Sequence, residues 1–585
     1  MLEPHGDVAP VHRKSGRNTP GRHRATAPTP DATAPGLRVM TSFAGPAPAT
    51  QPILSAKSLE KDQSHRAGDG GAQELSSMRP LEGLLASRWA LPAVLVIQAL
   101  MSIRLMWANT AFQDEAAWLW AGHLEIDHVL HHVPIVAYAA WFSGSPVIYP
   151  LVGAIANNVG GLAAARLLSL IFMLVSTTLL HGVTRRMFDS RAAAWFAAAL
   201  FAGLGSIQFL GGFAMHDGLA IMLLALSVWI GVRAAWCGGP ARAGLIVLGA
   251  VVLALADVTN YSEAIFDPVA IAVVALAVWR VRGKAIALAT GAAFGICAAL
   301  LLAGAYHLGG QPYAQGIRFG LHLQGGVSAL PILQASAKWE CITAVLAVVG
   351  AILVTRRREG AVTAVLAWVL AAAAFVSPAE HVKIHSLLSL FKQIGIGAWF
   401  GSAVGGYALF LLSRAARPAR AALALRVSVA AAVLAAAFGF YVASVQYHAW
   451  PNFSKTTAAL DKLLTPGGNY LAEDDDVPGY YLENTVRYSQ WTNTYYIGYL
   501  DPKTGKYLFG LPGYADAIRR RYFTAILLNF GDTAVTDQAI VADMNKYGTY
   551  RLAETIPYMT STGRGAYQIW TPRPPGKPHK PGRPR

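Results

Sequence analysis

Charge is scarce in this sequence: 14% of the residues are Asp, Glu, Lys or Arg, against 54% that are hydrophobic. A 585-residue chain of that composition cannot hide its apolar side chains in a water-soluble core, so the composition requires a membrane. Cysteine is scarcer still. Cys237, Cys297 and Cys341 lie in or beside apolar runs, with neither a CxxC nor a Cys/His spacing, which excludes a disulfide framework and a structural zinc. They read as small buried hydrophobes. The glycines between 309 and 326 lack Walker spacing, so they are not a phosphate cradle. Residues 1–87 hold no early apolar h-region, so no cleavable signal peptide is expected and the first spanning helix has to direct insertion.

What is present is a series of long apolar runs. Those from Trp89 to Trp107 and from Ala163 to Gly182 are each long enough to cross a hydrocarbon core of about 30 Å at 1.5 Å per residue. Further runs lie near 192–210, 218–236, 243–256, 264–279, 285–306, 339–354, 361–377, 388–412 and 421–445, which makes about eleven transmembrane helices. The formal net charge of +16 has a specific address. Arg185, Arg186 and Arg191, then Arg233 and Arg242, Arg280, Arg282 and Lys284, Arg356 to Arg358, and Arg414, Arg417 and Arg420 fill alternate loops. By the positive-inside rule these loops and the Arg/His-rich N-terminal arm are cytoplasmic, so the charge reports orientation and no nucleic-acid partner is expected.

The remaining organisation follows from composition. Residues 1–87, rich in Pro, Ala, Gly, Ser, His and Arg without apolar periodicity, read as a disordered cytoplasmic arm. A transmembrane domain follows over 88–448, with its first outer loop at 108–162. Residues 449–572 alternate short apolar runs at 469–472, 523–529 and 566–570 with helical patterns near 512–522 and 535–547, which predicts a small extracytoplasmic α/β domain. The tail 573–585 is basic and solvated. The stretch from about 309 to 337 reads as a long outer loop that could act as a lid.

Ionisable residues other than topology signals gather on the outer side. Asp114 and Glu115, His216 and Asp217, Asp257 and Glu263, and the turn holding Glu380, His381, Lys383 and His385 all fall in outer loops, and such groups at a membrane edge are functional candidates. The segment from Phe112 to His123 comes directly after the first span. Its adjacent carboxylates and its aromatics Trp118 and Trp120 place Asp114 at the membrane surface, where a carboxylate can act as a general base toward a hydroxyl. The competing reading is a helix cap, with Asp114 at the N-terminus and Glu115 favourable to the dipole.

An Asp-Glu pair in the outer loop after the first span, with aromatics and Gly122-His123 following, resembles the signature of the GT-C membrane glycosyltransferases, and within them the bacterial glycosyltransferase family 39 and protein-mannosyltransferase-like branch. Further short matches are Tyr149-Pro150, Ala165-Arg166-Leu167-Leu168, Thr184-Arg185-Arg186-Met187-Phe188, His216-Asp217-Gly218-Leu219-Ala220, Asn260-Tyr261, Phe266-Asp267-Pro268 and Ser389-Leu390-Phe391-Lys392-Gln393. The resemblance implies a GT-C-like polytopic α-helical membrane protein of the plasma membrane, with its C-terminal domain outside. It implies transfer of a sugar, a hexose such as mannose or a pentose, from a polyprenyl-phosphate carrier to a glycan, lipid or protein acceptor on the outer face.

On that resemblance Asp114 is the base and Glu115 positions base or acceptor. Arg166 and Lys392 fall within matching pieces as cations for the departing phosphate, while Arg104 and Lys383 are added from their depth, with His385 beside them. His216 and Asp217, at the mouth of the fourth span, would hold sugar, acceptor or a cation. Asn260 stands where relatives often carry a Lys before the Tyr, which weakens any phosphate contact there.

No cofactor is required by these patterns. A divalent cation, Mg or Mn, is a candidate, since His123, Glu125, Asp127, His128, His131 and His132 are rich in ligands, although their spacing matches no zinc motif. Asp474, Asp475 and Asp476 suggest a DxD motif, but nucleotide sugars are absent outside the membrane and an acidic turn is the simpler reading. Trp491, Tyr495, Tyr496 and Tyr499 could offer stacking faces to a glycan, or serve as core. Two other functions stay open: a transporter or flippase of lipid-linked sugar, against which stands the lack of an internal repeat, and a catalytically inactive glycan-binding assembly protein.

Overall fold

The structure, a computed structural model, describes residues 87–322, 324–414 and 418–574; most of the N-terminal arm and of the basic tail lie outside the described residues. Apolar runs without polar neighbours fold as helices because in lipid every backbone N–H and C=O must be satisfied within the segment. Among the described residues eight helices are long and apolar enough to cross a membrane, and nine if α11 (Ala361–Ala373) and α12 (Val376–Lys383), bent by 43°, form one broken span. Two shorter apolar helices, α1 (Ala90–Ile103) and α4 (Arg191–Gly203), bring the apolar runs to the eleven expected. The protein is a polytopic helical membrane protein.

The long helices are α3 (Tyr149–Phe188), α6 (His216–Ala234), α7 (Gly239–Thr259), α8 (Asp267–Arg282), α9 (Lys284–Leu321), α10 (Ala329–Arg356), α13 (Leu390–Arg414) and α14 (Pro418–Gln446). The short helix α5 (Gly205–Leu210) links α4 to α6. Helix α13 is the axis: 94% of its most apolar window is buried, and it packs against α10 and α4. Helix α14 is the opposite case, with 22% of its window buried and Leu423, Val427, Val433 and Leu434 exposed as a lipid-facing flank requires. The cysteines are not core residues: Cys341 is exposed and Cys237 and Cys297 are half-buried.

Two of the long helices are broken near one end. Helix α3 is interrupted at Gly160 and Gly161, where Gly161 has φ 65° and ψ −165°, and α9 at Gly310, with φ 66° and ψ −156°. Only glycine adopts these angles without strain. The outer pieces lie against the short helix α2 (Gln113–His131) and the segment after it. The break in α9 corrects the expected loop from 309. Pro312 falls in the first turn after Gly310, where its missing N–H costs nothing, so helix resumes to Leu321 and the loop shrinks to the stretch before Ala329.

The basic loops meet at the other end. Arg280 donates to the Met187 carbonyl, Arg282 to Ala235 at 3.1 Å and Arg357 to Leu411 at 3.1 Å.

After α15 (Ser454–Asp461) the chain forms a small α/β region. Its strands are β1 (Tyr470–Ala472), β2 (Trp491–Asn493), β5 (Ala525–Leu528), β6 (Tyr550–Thr560) and β7 (Gly563–Pro572), in the order β2-β1-β5-β7-β6. The first three are parallel, and β6 and β7 form an antiparallel hairpin on the β5 edge. A separate two-stranded ribbon pairs β3 (Gly498–Leu500) with β4 (Tyr507–Phe509). Helices α16 (Asp476–Tyr481), α17 (Gly510–Arg519) and α18 (Ala534–Tyr547) complete it. The apolar runs at 469–472, 523–529 and 566–570 thus become strands, and the two helical patterns become α17 and α18.

This region shares a core with the helical bundle. Ala116, Leu119 and Trp120 of α2 pack with Tyr470, Val477 and Ile569. The Tyr481 hydroxyl accepts from the Ala111 N–H, in the turn before α2, at 2.7 Å, and the Asn157 side-chain amide donates to the Tyr480 hydroxyl at 2.7 Å.

Candidate functional site

The site is built where α2 begins. Glu115, at the third position of the helix, accepts from the Phe112 N–H at 3.1 Å, which satisfies one of the donors a helix N-terminus leaves free. Its carboxylate also takes both arms of Arg166, Nε at 2.8 Å and Nη2 at 2.6 Å, and the Ala214 N–H at 2.8 Å. The remaining donors of Arg166 reach the carbonyls of Leu105, Met106, Asn109 and Thr110 at 3.0 to 3.2 Å. Both side chains are fully buried. Such a pair persists because every donor is used, and it fixes the end of the α1 segment, the start of α2 and the turn before α6 against one another.

This arrangement frees Asp114, one residue earlier, to face outward. Its Oδ2 lies 2.7 Å from the Nζ of Lys392, which is 6% exposed against 38% for Asp114. Lys392 stands on the first turn of α13, and its charge is felt by Asp217 as well as by Asp114. Asp217 accepts from the Asn260 side-chain amide at 3.1 Å, and its other oxygen, 3.8 Å from His216 Nδ1, has no hydrogen-bond partner. His216 stacks on Trp118 with ring centroids 3.9 Å apart, and its Nε2 is 3.2 Å from Ser143 Oγ. Four of the residues singled out from sequence, Asp114, Lys392, Asp217 and His216, therefore form one electrostatic group.

The others are placed differently. Arg166 is remote from solvent with all its donors spent on protein, which leaves none for a phosphate; it is a staple of the site. Arg104 is turned toward α14, with its guanidinium 3.4 Å from the Phe440 ring centroid and Nη1 3.1 Å from Ser444 Oγ. Lys383 is 75% exposed and paired with Glu380 on its own helix. His385 is exposed near the Val327 carbonyl. The structure does not bring these three to the Asp114 group.

The ligand-rich stretch of α2 does not converge either. His123 is 2.9 Å from Glu483, His128 meets the Val133 carbonyl at 2.8 Å, and His131 and His132 are exposed. Among the described residues the group whose ligand atoms lie within 4.8 Å of one another is Asp474, Asp475 and Asp476. Burial and mutual repulsion push Asp474 and Asp476 well above the ordinary aspartate range, and burial raises Asp475. Three hard oxygen donors fit a divalent ion of the Mg or Mn class rather than zinc.

Sequence reasoning treated the triplet as an isolated turn. In the fold the charge of Asp114 reaches both Asp474 and Asp476, because α16 packs on α2. Asp257 and Glu263, outer-loop candidates from sequence, are buried at the α7–α8 turn beside the half-buried Asp267; both carboxyl oxygens of the first two and Oδ1 of Asp267 find no hydrogen-bond partner. Of the four aromatics considered as stacking faces, Trp491 and Tyr499 are buried, while Tyr495 and Tyr496 are exposed.

No protein-family model matches the sequence, and no curated protein matches it. Solved structures do. The crystal structure of ArnT from Cupriavidus metallidurans bound to undecaprenyl phosphate aligns with a TM-score of 0.55 at 12% identity, covering 82% of this chain and 98% of that one. The apo structure of the same ArnT aligns at 0.49 and 13% identity over 81% and 97%. An alignment over 82% of this chain reaches beyond its helical bundle into the C-terminal region. The chain has the fold seen in that ArnT structure.

Proposed function

We propose that this protein is a membrane glycosyltransferase that moves a sugar, a hexose such as mannose, from a polyprenyl-phosphate carrier to an acceptor hydroxyl on the outer face of the plasma membrane. The observation that carries this reading is the half-exposed Asp114 held against Lys392 by a buried staple, on the fold of a protein that binds undecaprenyl phosphate. Residues of the basic loops would lie in the cytoplasm, with the α/β region outside.

The chemistry follows from the charges. Asp114 accepts the proton of the acceptor hydroxyl, the oxygen attacks the anomeric carbon, and the bond from that carbon to the phosphate oxygen breaks. Polyprenyl phosphate leaves with the bonding pair, and inversion at the anomeric carbon results. The Lys392 ammonium, paired with Asp114, holds that carboxylate in orientation and stabilises the charge growing on the phosphate. Glu115 and Arg166 are positioning residues, and Asp217 and His216 face the sugar. A divalent cation, where bound, would sit on Asp474 to Asp476 and relieve their repulsion; the transfer steps are carried by Asp114 and Lys392.

The test is made in cells. Deletion of the gene, Asp114→Asn and Asp114→Ala are each expected to remove one envelope glycan and to accumulate its polyprenyl-phosphate sugar. Unaltered glycans in all three strains would refute the reading. A change in carrier distribution across the membrane with no glycosidic bond lost would indicate a flippase.

A further inference from the structure

Between the helical bundle and the α/β region lies a cavity of about 200 Å³. Its walls come from both sides: Gln113 and Trp450 from the bundle edge, Asp474, Tyr495, Asn529 and Asp532 from the loops at the carboxyl ends of β1, β2 and β5. Loops at the carboxyl ends of parallel strands are the usual binding edge of an open α/β sheet. The cavity begins one residue from Asp114, whose charge is felt at Asp474.

Three properties limit what can enter. First, none of the lining residues is Lys, Arg or His, so the wall offers a phosphate or carboxylate no cationic side chain, and the Glu473 and Asp532 carboxylates oppose one. Second, the polar edge offers amides and carboxyl oxygens at several heights. Asp532 accepts from the Tyr495 hydroxyl at 3.2 Å, and both are exposed, leaving further lone pairs for a ligand's donors. Third, aromatic side chains, Tyr495 at 53% exposure and Trp450 in the opposite wall, provide apolar faces. Room for a sugar ring, hydrogen-bond acceptors and ring faces, without a cationic side chain, describe a site for an uncharged carbohydrate. The volume is below the ~300–1,000 Å³ of a drug-sized pocket, which suits one residue of a glycan.

The loop is rigid enough to serve. Glu473, at the end of β1, accepts from the N–H groups of Asn529, Gly531 and Thr533 at 3.2, 3.0 and 2.9 Å, which pins the loop carrying Asn529 and Asp532.

We infer that this cavity is the acceptor subsite, and that the acceptor is a glycan residue free of phosphate and carboxylate groups, held by Tyr495 and Asp532 so that its hydroxyl reaches Asp114. The inference rests on the transferase reading. It divides the site by charge: the anionic carrier belongs on the Lys392 side of Asp114, the uncharged acceptor on the side of Asp474 and Asp532.

Full-length protein in proteoliposomes, supplied with lipid-linked sugar and with the glycan lost in the deletion strain, separates the two claims. If the wild type transfers and Asp114→Asn does not, the transferase reading stands, and Tyr495→Ala and Asp532→Ala then test the subsite. Each is expected to raise the acceptor KM tenfold or more, with donor KM and hydrolysis of the donor by water within twofold of wild type, and Tyr495→Phe is expected to restore the acceptor KM. Acceptor KM values within twofold of wild type, or parallel loss of transfer and hydrolysis, overturn the inference. If the wild type transfers nothing, the cavity is probed directly by saturation-transfer NMR with maltose, N-acetylglucosamine and glucose 6-phosphate. Contact with the first two alone, lost in Tyr495→Ala, supports an uncharged-carbohydrate site; contact with all three or with none overturns it.

Discussion

At the residue scale, neighbouring carboxylates do opposite work because one is buried and the other is not. Asp114 and Glu115 are adjacent in the first turn of one helix, and only Glu115 bonds back to the chain before it. Glu115 is sealed against Arg166, so removing either partner strands a charge in a dry interior: Glu115→Gln or Arg166→Met should cost about 3–5 kcal/mol of stability, read as a lowered unfolding temperature. Arg166→Lys should recover little, since an ammonium cannot replace a guanidinium that meets a carboxylate and four carbonyls. Asp114→Asn, by contrast, should leave unfolding nearly unchanged and reduce transfer by about 10²–10⁴. A melting temperature that falls as far for Asp114→Asn as for Arg166→Met would assign Asp114 a structural role. The Asp-Glu pair and the choice of Asp114 as the residue facing outward were legible in sequence; the burial of Glu115 against Arg166, which sequence assigned to the phosphate, was not, because it joins residues 51 positions apart.

At the scale of elements, breaks and loop pins place the site. Gly161 and Gly310 hold angles that side chains rarely adopt, so alanine at either should cost about 1–3 kcal/mol, visible as a loss of thermal stability that Gly244→Ala, in open space with ordinary helical geometry, does not share. A second expectation concerns α18. Burial, with Glu473 alongside, raises Asp537 to about 8. The folded state therefore keeps a proton that the unfolded chain gives up near the ordinary aspartate value, about 3.9. Stability contributed by that proton is present at low pH and is lost as pH rises toward 8, by up to about 1.4 kcal/mol per unit. Asp537→Asn should flatten the melting profile between pH 5 and 9; an unchanged slope would assign the dependence elsewhere. The elements were largely legible, since hydropathy and alternation mark helices and strands directly. The helix beyond Gly310 was not, because its glycines read as loop while Pro312 in fact starts a new turn.

At the scale of the whole molecule, sequence showed its arginines gathered in alternate loops but could not report convergence. Lys392 meets Asp114 across 278 residues, and the cavity beside them draws on segments near 112, 450, 474, 495 and 530. No local pattern records such meetings; burial and packing of α13 and α16 create them. If the arginine loops are cytoplasmic, cysteines introduced at Asp189 and at Tyr496 should be labelled by a membrane-impermeant thiol reagent from opposite sides, and labelling of both from outside intact cells would contradict the assigned topology. The most direct measurement of the central claim is single-turnover transfer in proteoliposomes from a polyprenyl-phosphate sugar to its glycan acceptor. The account predicts a glycosidic bond and free polyprenyl phosphate in equal amounts with wild type, and neither with Asp114→Asn. Equal product from both proteins would contradict it.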